Sequence, residues 1–302
     1  MEATTMKRPS RVWLVGLAAC VAAGLASLPA KAQSAKPEDE NAAAAVVELP
    51  METPELLSWS FAGFFGKYDT AQLQRGFQVY QSVCANCHSL SYVAFRNLSE
   101  PGGVDFSEEE VKALAASYQI QDGPNDAGDM FERPGLPSDR FPSPFPNPQA
   151  AAAANGGAAP PDLSLIAKAR GTARGPVWTI LDFFTQYQEA GPNYIHALLT
   201  GYGQTPPQGV EIPEGTYFNP YFKAAVSLKM PPPLTDGAVP YSDGSPETVD
   251  QYARDVAAFL MWAAEPHLDA RKRLGFQVFV FLIVFAGLMY LTKKRVWASV
   301  AH

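Results

Sequence analysis

The sequence predicts a mainly α-helical domain that is exported and then held in a membrane by one C-terminal helix. Three features of the 302-residue chain carry this expectation: capped segments whose apolar residues recur at helical spacing, Pro- and Gly-rich stretches in which no long helix survives, and one uncharged apolar run near the C-terminus. Hydrophobic residues make up 47% and charged residues 18%, a balance that suits a globular protein with membrane contact and excludes a wholly disordered chain.

The N-terminus has the form of a secretory leader. Lys7, Arg8 and Arg11 precede an apolar run from Val12 to Leu28, and Ala30-Lys31-Ala32 has the small-x-small form of a cleavage site. Cleavage is expected between Ala32 and Gln33, which makes 1–32 a removed signal peptide. Lipidation of Cys20 is the weaker alternative, because the apolar run continues past it. Residues 33 to about 45 read as a polar, Ala-rich leader. Asp69 then caps a helix to Val83 that carries Leu73, Phe77, Tyr80 and Cys84 at helical spacing. Ser107 and Glu110 make a capping box for a second helix, ending near Tyr118.

From Gly123 to Pro161 the chain is dense in Pro, Gly and Asp, yet Phe141 and Phe145 predict a packed loop. Trp178 to Thr200 reads as helix, broken near Gly191-Pro192. The following stretch to Asp243 has room for a small hairpin around Val210, Ile212, Tyr217 and Phe218. Ser245-Pro246 is expected to open the last helix of the domain, with Val249, Tyr252, Val256, Phe259, Leu260 and Trp262 on its apolar face and its end near Glu265-Pro266. There is no internal repeat.

Leu274 to Thr292 contains no charge. As a helix it is ~28 Å long, close to the ~30 Å hydrocarbon core of a bilayer. Basic triplets flank it on both sides, Arg271-Lys272-Arg273 and Lys293-Lys294-Arg295, so charge bias leaves its orientation open. The leader decides: residues 33–270 are expected in the periplasm, 271–292 in a bacterial inner membrane and 293–302 in the cytoplasm. Between Gln33 and Ala270, 13 Lys and Arg face 29 Asp and Glu, a net charge of −16. Such a domain repels nucleic acid and attracts a basic protein partner at rates that fall with salt. The candidate acids are Glu108, Glu109 and Glu110, then Asp122, Asp126 and Asp129.

Only three cysteines occur, and removal of the leader leaves Cys84 and Cys87. They stand in Cys84-Ala85-Asn86-Cys87-His88, the attachment pattern for a c-type haem. Two thiols three apart add to the two vinyl groups of one porphyrin, and the adjacent His88 is placed to ligate the iron. A zinc site lacks a second cysteine pair. A dithiol redox site of the thioredoxin type wants a strand before the motif, where this sequence predicts a helix. The sixth ligand has six candidates: Met51, Met130, Met230, Met261, His196 and His267. Met230 is favoured because Pro231-Pro232-Pro233 stiffens its loop, which lowers the ordering entropy that a weak thioether ligand must overcome. His/Met ligation gives a higher potential than a pair of histidines.

Further segments make the sequence resemble the cytochrome c1 family, the haem subunits of cytochrome bc1 complexes. Gln72-Leu73-Gln74-Arg75-Gly76-Phe77-Gln78-Val79-Tyr80 precedes the haem motif, and Ser89-Leu90 and Tyr92-Val93-Ala94-Phe95-Arg96 follow it. Pro146-Asn147-Pro148, Ala153-Ala154-Asn155-Gly156-Gly157-Ala158 and Pro160-Pro161-Asp162-Leu163-Ser164 come next. Leu199-Thr200-Gly201-Tyr202, Tyr217-Phe218-Asn219-Pro220-Tyr221-Phe222 and Trp262-Ala263-Ala264-Glu265-Pro266 complete the set.

The resemblance covers nearly the whole exported domain and the anchor. It implies a class I cytochrome c core with long loop insertions and one C-terminal transmembrane helix. The implied cofactor is one haem c, bound covalently through Cys84 and Cys87 and ligated by His88 and Met230, with Arg170 in Ala169-Arg170-Gly171 as a propionate partner. The implied activity is that of a ubiquinol–cytochrome c reductase subunit, which takes single electrons from a Rieske iron–sulfur protein and gives them to a soluble or tethered cytochrome c, contributing to proton-motive force. Cytochrome b, the Rieske protein, cytochrome c and the lipid bilayer are the implied partners, in a dimeric complex. A free-standing tethered shuttle is the rival. A dihaem peroxidase would need a second haem motif and an open iron site.

Overall fold

The computed structural model describes residues 52–171 and 175–299. The expected leader 1–32 with Cys20, the polar stretch after it, Met51 and the end of the tail lie outside the described residues. Within them the protein is mainly helical, with short strands. Two helices form the centre: α1, Thr70–Ser82, and, far along the chain, the helix Val249–Ala264. Between them lie α2 (Glu108–Ala116), α3 (Pro148–Ala154), α4 (Ile166–Ala169), α5 (Pro176–Thr185) and α6 (Ala190–Thr200), which makes Val249–Ala264 α7 and Leu268–Val296 α8. Antiparallel strands β1 (Gln119–Asp122) and β2 (Phe131–Pro134) form one hairpin; β3 (Tyr217–Phe218) and β4 (Ser227–Leu228) form a second.

Local chemistry sets the helix starts. The Asp69 carboxylate accepts from Gln72 N–H at 3.2 Å, and Ser107 and Glu110 cap each other's backbone as their spacing predicts. Two boundaries differ from expectation. The helix expected over 178–200 breaks at Gln186–Glu189, where Gln186 takes a left-handed φ of 58°, and not at Gly191-Pro192. Pro192 falls in the first turn of α6, where its missing N–H costs no hydrogen bond. The last domain helix starts at Val249 behind a Thr248 cap, not at Ser245-Pro246, because Ser245 is bonded to Asp243 and the Glu247 carboxylate is taken by Tyr241 N–H.

α1 and α7 cross at Gly76. A Cβ there would collide with the Asp255 carbonyl and the Phe259 Cβ, so only glycine permits this approach. Beside the crossing, the Asp255 carboxylate is fully buried and accepts five bonds: from Arg75 Nε (2.8 Å) and Nη2 (3.3 Å), Gln72 Nε2 (3.2 Å), Gln251 Nε2 (2.9 Å) and Tyr241 Oη (3.0 Å). A buried charge persists when it is paired and its lone pairs are used. Phe77, Tyr80 and Phe259 fill the seam, and Phe141 packs onto them and onto Phe95 at a 4.4 Å centroid distance. That contact anchors the Pro- and Gly-rich stretch at Phe141, as expected of that aromatic, whereas Phe145 is only half-buried.

α8 matches the expected span. Its first residue, Leu268, is buried in the domain, and its apolar stretch is exposed along its length. Of the basic residues before the stretch, Arg271 is bound to Glu265 and Lys272 donates to the Phe61 carbonyl at 2.6 Å. Gly76→Ala tests the crossing. Because the collision is with backbone, a loss of roughly 2–3 kcal/mol is expected. At about 2–4 °C per kcal/mol for a domain of this size, thermal unfolding moves down by ~5–10 °C. An unchanged midpoint refutes the close approach.

Candidate haem site

The end of α1 delivers the motif. Val79 and Tyr80 are buried in the seam, so the chain leaves the core at Ser82 and turns through a single 3₁₀ turn, Cys84–Asn86. Cys87 and His88 N–H groups both return to the Cys84 carbonyl, at 3.1 and 2.9 Å, which puts the two thiols and the imidazole on one compact turn. Cys84 is half-buried and Cys87 exposed. Burial, with Cys87 adding to it, pushes the Cys84 thiol up to about 12, so it is no thiolate of the dithiol-redox kind. A helix, not a strand, precedes the motif.

His88 is oriented by a group 73 residues away: its Nδ1 lies 2.8 Å from the Pro161 carbonyl oxygen. A carbonyl only accepts, so Nδ1 carries the proton and Nε2 keeps its lone pair. Burial lowers the His88 pKa, against the opposing pull of the Pro161 bond and of Asp162, and so favours neutral imidazole. A neutral ring with its far nitrogen free, next to two thiols three apart, fits covalent haem.

Asp162 fixes the Pro161 carbonyl. Its carboxylate accepts from Ser89 Oγ (2.8 Å), Ser91 N (2.9 Å), Ser91 Oγ (2.6 Å) and Ser164 N (2.8 Å). Leu163 N–H donates to the Ser89 carbonyl, and Ser164 Oγ accepts from Tyr92 N–H. Burial raises the Asp162 pKa, but these bonds outweigh it and hold the group down at about 2. Sequence reasoning gave Asp162 no role. The signal was Asp162 two residues before Ser164, an Asx turn that marks a fixed backbone.

The sixth-ligand candidates separate. Met130 is exposed beyond the Asp122 end of the first hairpin, and Met261 is buried in the core. His196 Nε2 is 2.9 Å from Asp250, and His267 is exposed at the start of α8. Met51 lies outside the described residues. Met230 is half-buried, two residues after β4, and its carbonyl accepts from Tyr202 Oη at 3.1 Å. Gly156 faces the Lys229 side chain, and both Gly156 and Gly157 have positive φ, 62° and 91°, which lets the chain double back there. From Gly156 beside Lys229 to Pro161 beside His88 is an arm of five residues, at most ~18 Å. Arg170 is exposed at the end of α4, where its charge acts on Tyr194.

The crossed helices, the thiol–thiol–imidazole turn and the apolar C-terminal helix define a class of protein: a membrane-anchored class I cytochrome of the c type. Comparison with known proteins specifies it further. The model of the Cytochrome C1 family matches residues 59–300, and this chain belongs to that family. Cytochrome c1 of Blastochloris viridis is 53% identical over 251 residues, 82% of this chain and 88% of that protein; cytochrome c1 of Rhodospirillum rubrum is 48% identical over 259 residues, 81% and 87%. Cytochrome b/c1 of Bradyrhizobium diazoefficiens is 68% identical over 241 residues, 80% of this chain, which spans only about a third (35%) of that relative.

Asp162→Asn tests the clasp. It keeps the shape, loses the charge and costs roughly 1–3 kcal/mol at neutral pH. Because the folded-state pKa is depressed, the wild-type advantage is complete above the unfolded value of ~3.9 and fades as pH falls towards 2. Acid unfolding of the two proteins, followed by haem absorbance, should therefore diverge at pH 7 and converge at pH 2. A constant difference across that window refutes it.

Proposed function

We propose that this chain is the electron-transfer subunit of a ubiquinol–cytochrome c reductase of the bc1 type, and that it takes single electrons from a Rieske iron–sulfur protein and passes them to a cytochrome c. The observation that carries the reading is the His88–Pro161 bond, which occupies Nδ1 and turns Nε2 outward beside paired cysteines in a chain of the cytochrome C1 family. Cys84 and Cys87 would hold a haem through thioethers, His88 Nε2 and Met230 Sδ would supply ligands to its iron, and Arg170 would meet a propionate. When bound, the haem supplies a one-electron iron couple. The chain performs no bond chemistry of its own: its residues would fix the ligands and set the potential. The partners are cytochrome b, the Rieske protein and cytochrome c, in a dimeric complex that contributes to proton-motive force.

Orientation follows the same reading: a cleaved leader 1–32, the domain 33–270 in the periplasm, and 293–302 in the cytoplasm. Arg271 and Lys272 are engaged by the domain, while Lys293, Lys294 and Arg295 are exposed at the far end, which supports the cytoplasmic placement of the tail. Met230→Leu tests the ligand set. The haem stays attached, the potential falls, and the reduced protein gains carbon monoxide binding. A variant as inert as wild type would assign the sixth position to another residue. Co-purification with a cytochrome b and an iron–sulfur protein separates this reading from a free-standing shuttle.

The acidic surface sharpens the acceptor. Asp122 shares Arg133 with Asp139, and the Glu110 carboxylate is held by Ser107, whereas Glu108, Glu109, Asp126 and Asp129 are exposed. Reduction of cytochrome c should slow as salt rises, since the Debye length is already ~8 Å at 0.15 M. Glu108→Gln with Glu109→Gln should flatten that dependence while sparing the cap at Glu110. A wild-type rate independent of salt excludes electrostatic steering; an unchanged slope in the double variant moves the docking surface to Asp126 and Asp129.

A further inference from the structure

α5 carries Val177, Ile180 and Leu181 on one face, with Val177 and Ile180 exposed at 67% and 63%. Its one charged residue, Asp182, lies roughly 140° around the helix from Val177 at 100° per residue. We propose that this face beds into the lipid interface beside α8, giving the domain a second contact with the bilayer besides its anchor. The proposal rests on α8 spanning the membrane.

The attachment of α5 argues for its position. Lys168, at the end of α4, is bonded to Glu265 at 2.5 Å and to Gln188 at 2.7 Å, so the exit and return of the α5 excursion are tied together. Glu265 in turn binds Arg271, in the first turn of α8, at 2.5 Å. On the return side, the Glu189 carboxylate acts on the Lys272 ammonium. Both ends of the excursion are thus fastened where the span leaves the domain. A ten-residue helix is only ~15 Å long, so α5 stays close to that neck.

The same neck bears other exposed apolar groups. Phe65 is 76% exposed and packs edge-on against Phe276 of the span at 5.6 Å, and Phe64 is 57% exposed beside it. An apolar face held near the neck of the anchor, with Trp178 half-exposed and Arg170 before it, has the composition that interfacial helices use. A protein groove is the competing occupant, and depth measurement separates the two.

The test uses the full-length holoprotein in its complex, reconstituted into phosphatidylcholine–phosphatidylglycerol vesicles. Nitroxide labels are placed singly at Ile180→Cys, Val177→Cys and Phe281→Cys, and haem absorbance reports folding of each. The Phe281 label should collide with oxygen severalfold more than with a water-soluble nickel chelate, and both α5 labels should do the same at shallower depth. If the α5 labels meet the nickel chelate freely while Phe281 does not, the inference fails and the anchor stands. If they are screened from both reagents, a protein subunit covers the face, and the inference fails in that way. A Phe281 label open to nickel would overturn the membrane reading itself. Val177 supplies the answer should the label at 180 disturb folding.

Discussion

Everything in this domain hangs on how closely α1 approaches α7. The absence of a side chain at Gly76 lets the backbone of one helix rest on the Asp255 carbonyl of the other. That contact places Phe77 and Tyr80 on Phe259, and it brings Arg75 within reach of a carboxylate that no water touches. The energetics are asymmetric. The assembled cluster of Arg75, Gln72, Gln251 and Tyr241 around Asp255 adds modest net stability, whereas removal of its cation would strand a buried charge at a cost of roughly 3–5 kcal/mol. The cluster therefore acts mainly as a register pin: α1 can slide along α7 only by breaking it.

The pinned helix then aims the site. α1 ends two residues before Cys84, so the direction of its last turn fixes where both thiols and His88 emerge. The ring of His88 still has to be turned, and the arm from Gly156 to Ser164 does that from outside the helical core. Asp162 binds the residues that follow the motif, and the neighbouring Pro161 carbonyl, carried along with it, sets the tautomer. One arm reaches the Met230 loop at Gly156 and His88 at Pro161, so the two proposed ligands share a single structural dependency. Disturbing the arm should loosen both proposed ligands together, which is why the burden falls on a carboxylate with four donors.

Local features of this architecture were legible in the sequence, and remote ones were not. Asp69, Ser107 and Glu110 cap helices within three residues of themselves, so their meaning is contained in a short window. The turn that brings Cys84, Cys87 and His88 together is likewise contained in five residues, and the uncharged run of α8 needs no context. The helix break was misplaced because Pro192 stops a helix only from its interior, and no short window shows that a new helix begins at Ala190. The β1–β2 hairpin was not anticipated: its strands lack alternation, β2 ends in a proline, and Arg133 holds it by bridging Asp122 to Asp139. The Pro161 carbonyl was the hardest to foresee. It is a backbone atom, and only the folded path brings it to His88.

The junction with the anchor follows the same logic of satisfied helix ends. α7 stops at Ala264 and α8 begins at Leu268, a connection short enough to act as a hinge if its polar groups were left to water. They are not: Tyr68 Oη donates to the carbonyls of Met261 and Glu265 at 3.2 and 3.1 Å, and Leu268 is buried. Arg271 and Lys272 tie the first turn of the span back to Glu265 and to the Phe61 carbonyl. A linker with this many fixed contacts transmits orientation, unlike a flexible tether, whose ends move independently. The first turn of α8 is thus held in a fixed relation to the domain that carries His88. On the proposed reading, donor and acceptor must both come to a stationary site, and the rate is governed by the surfaces along which they approach.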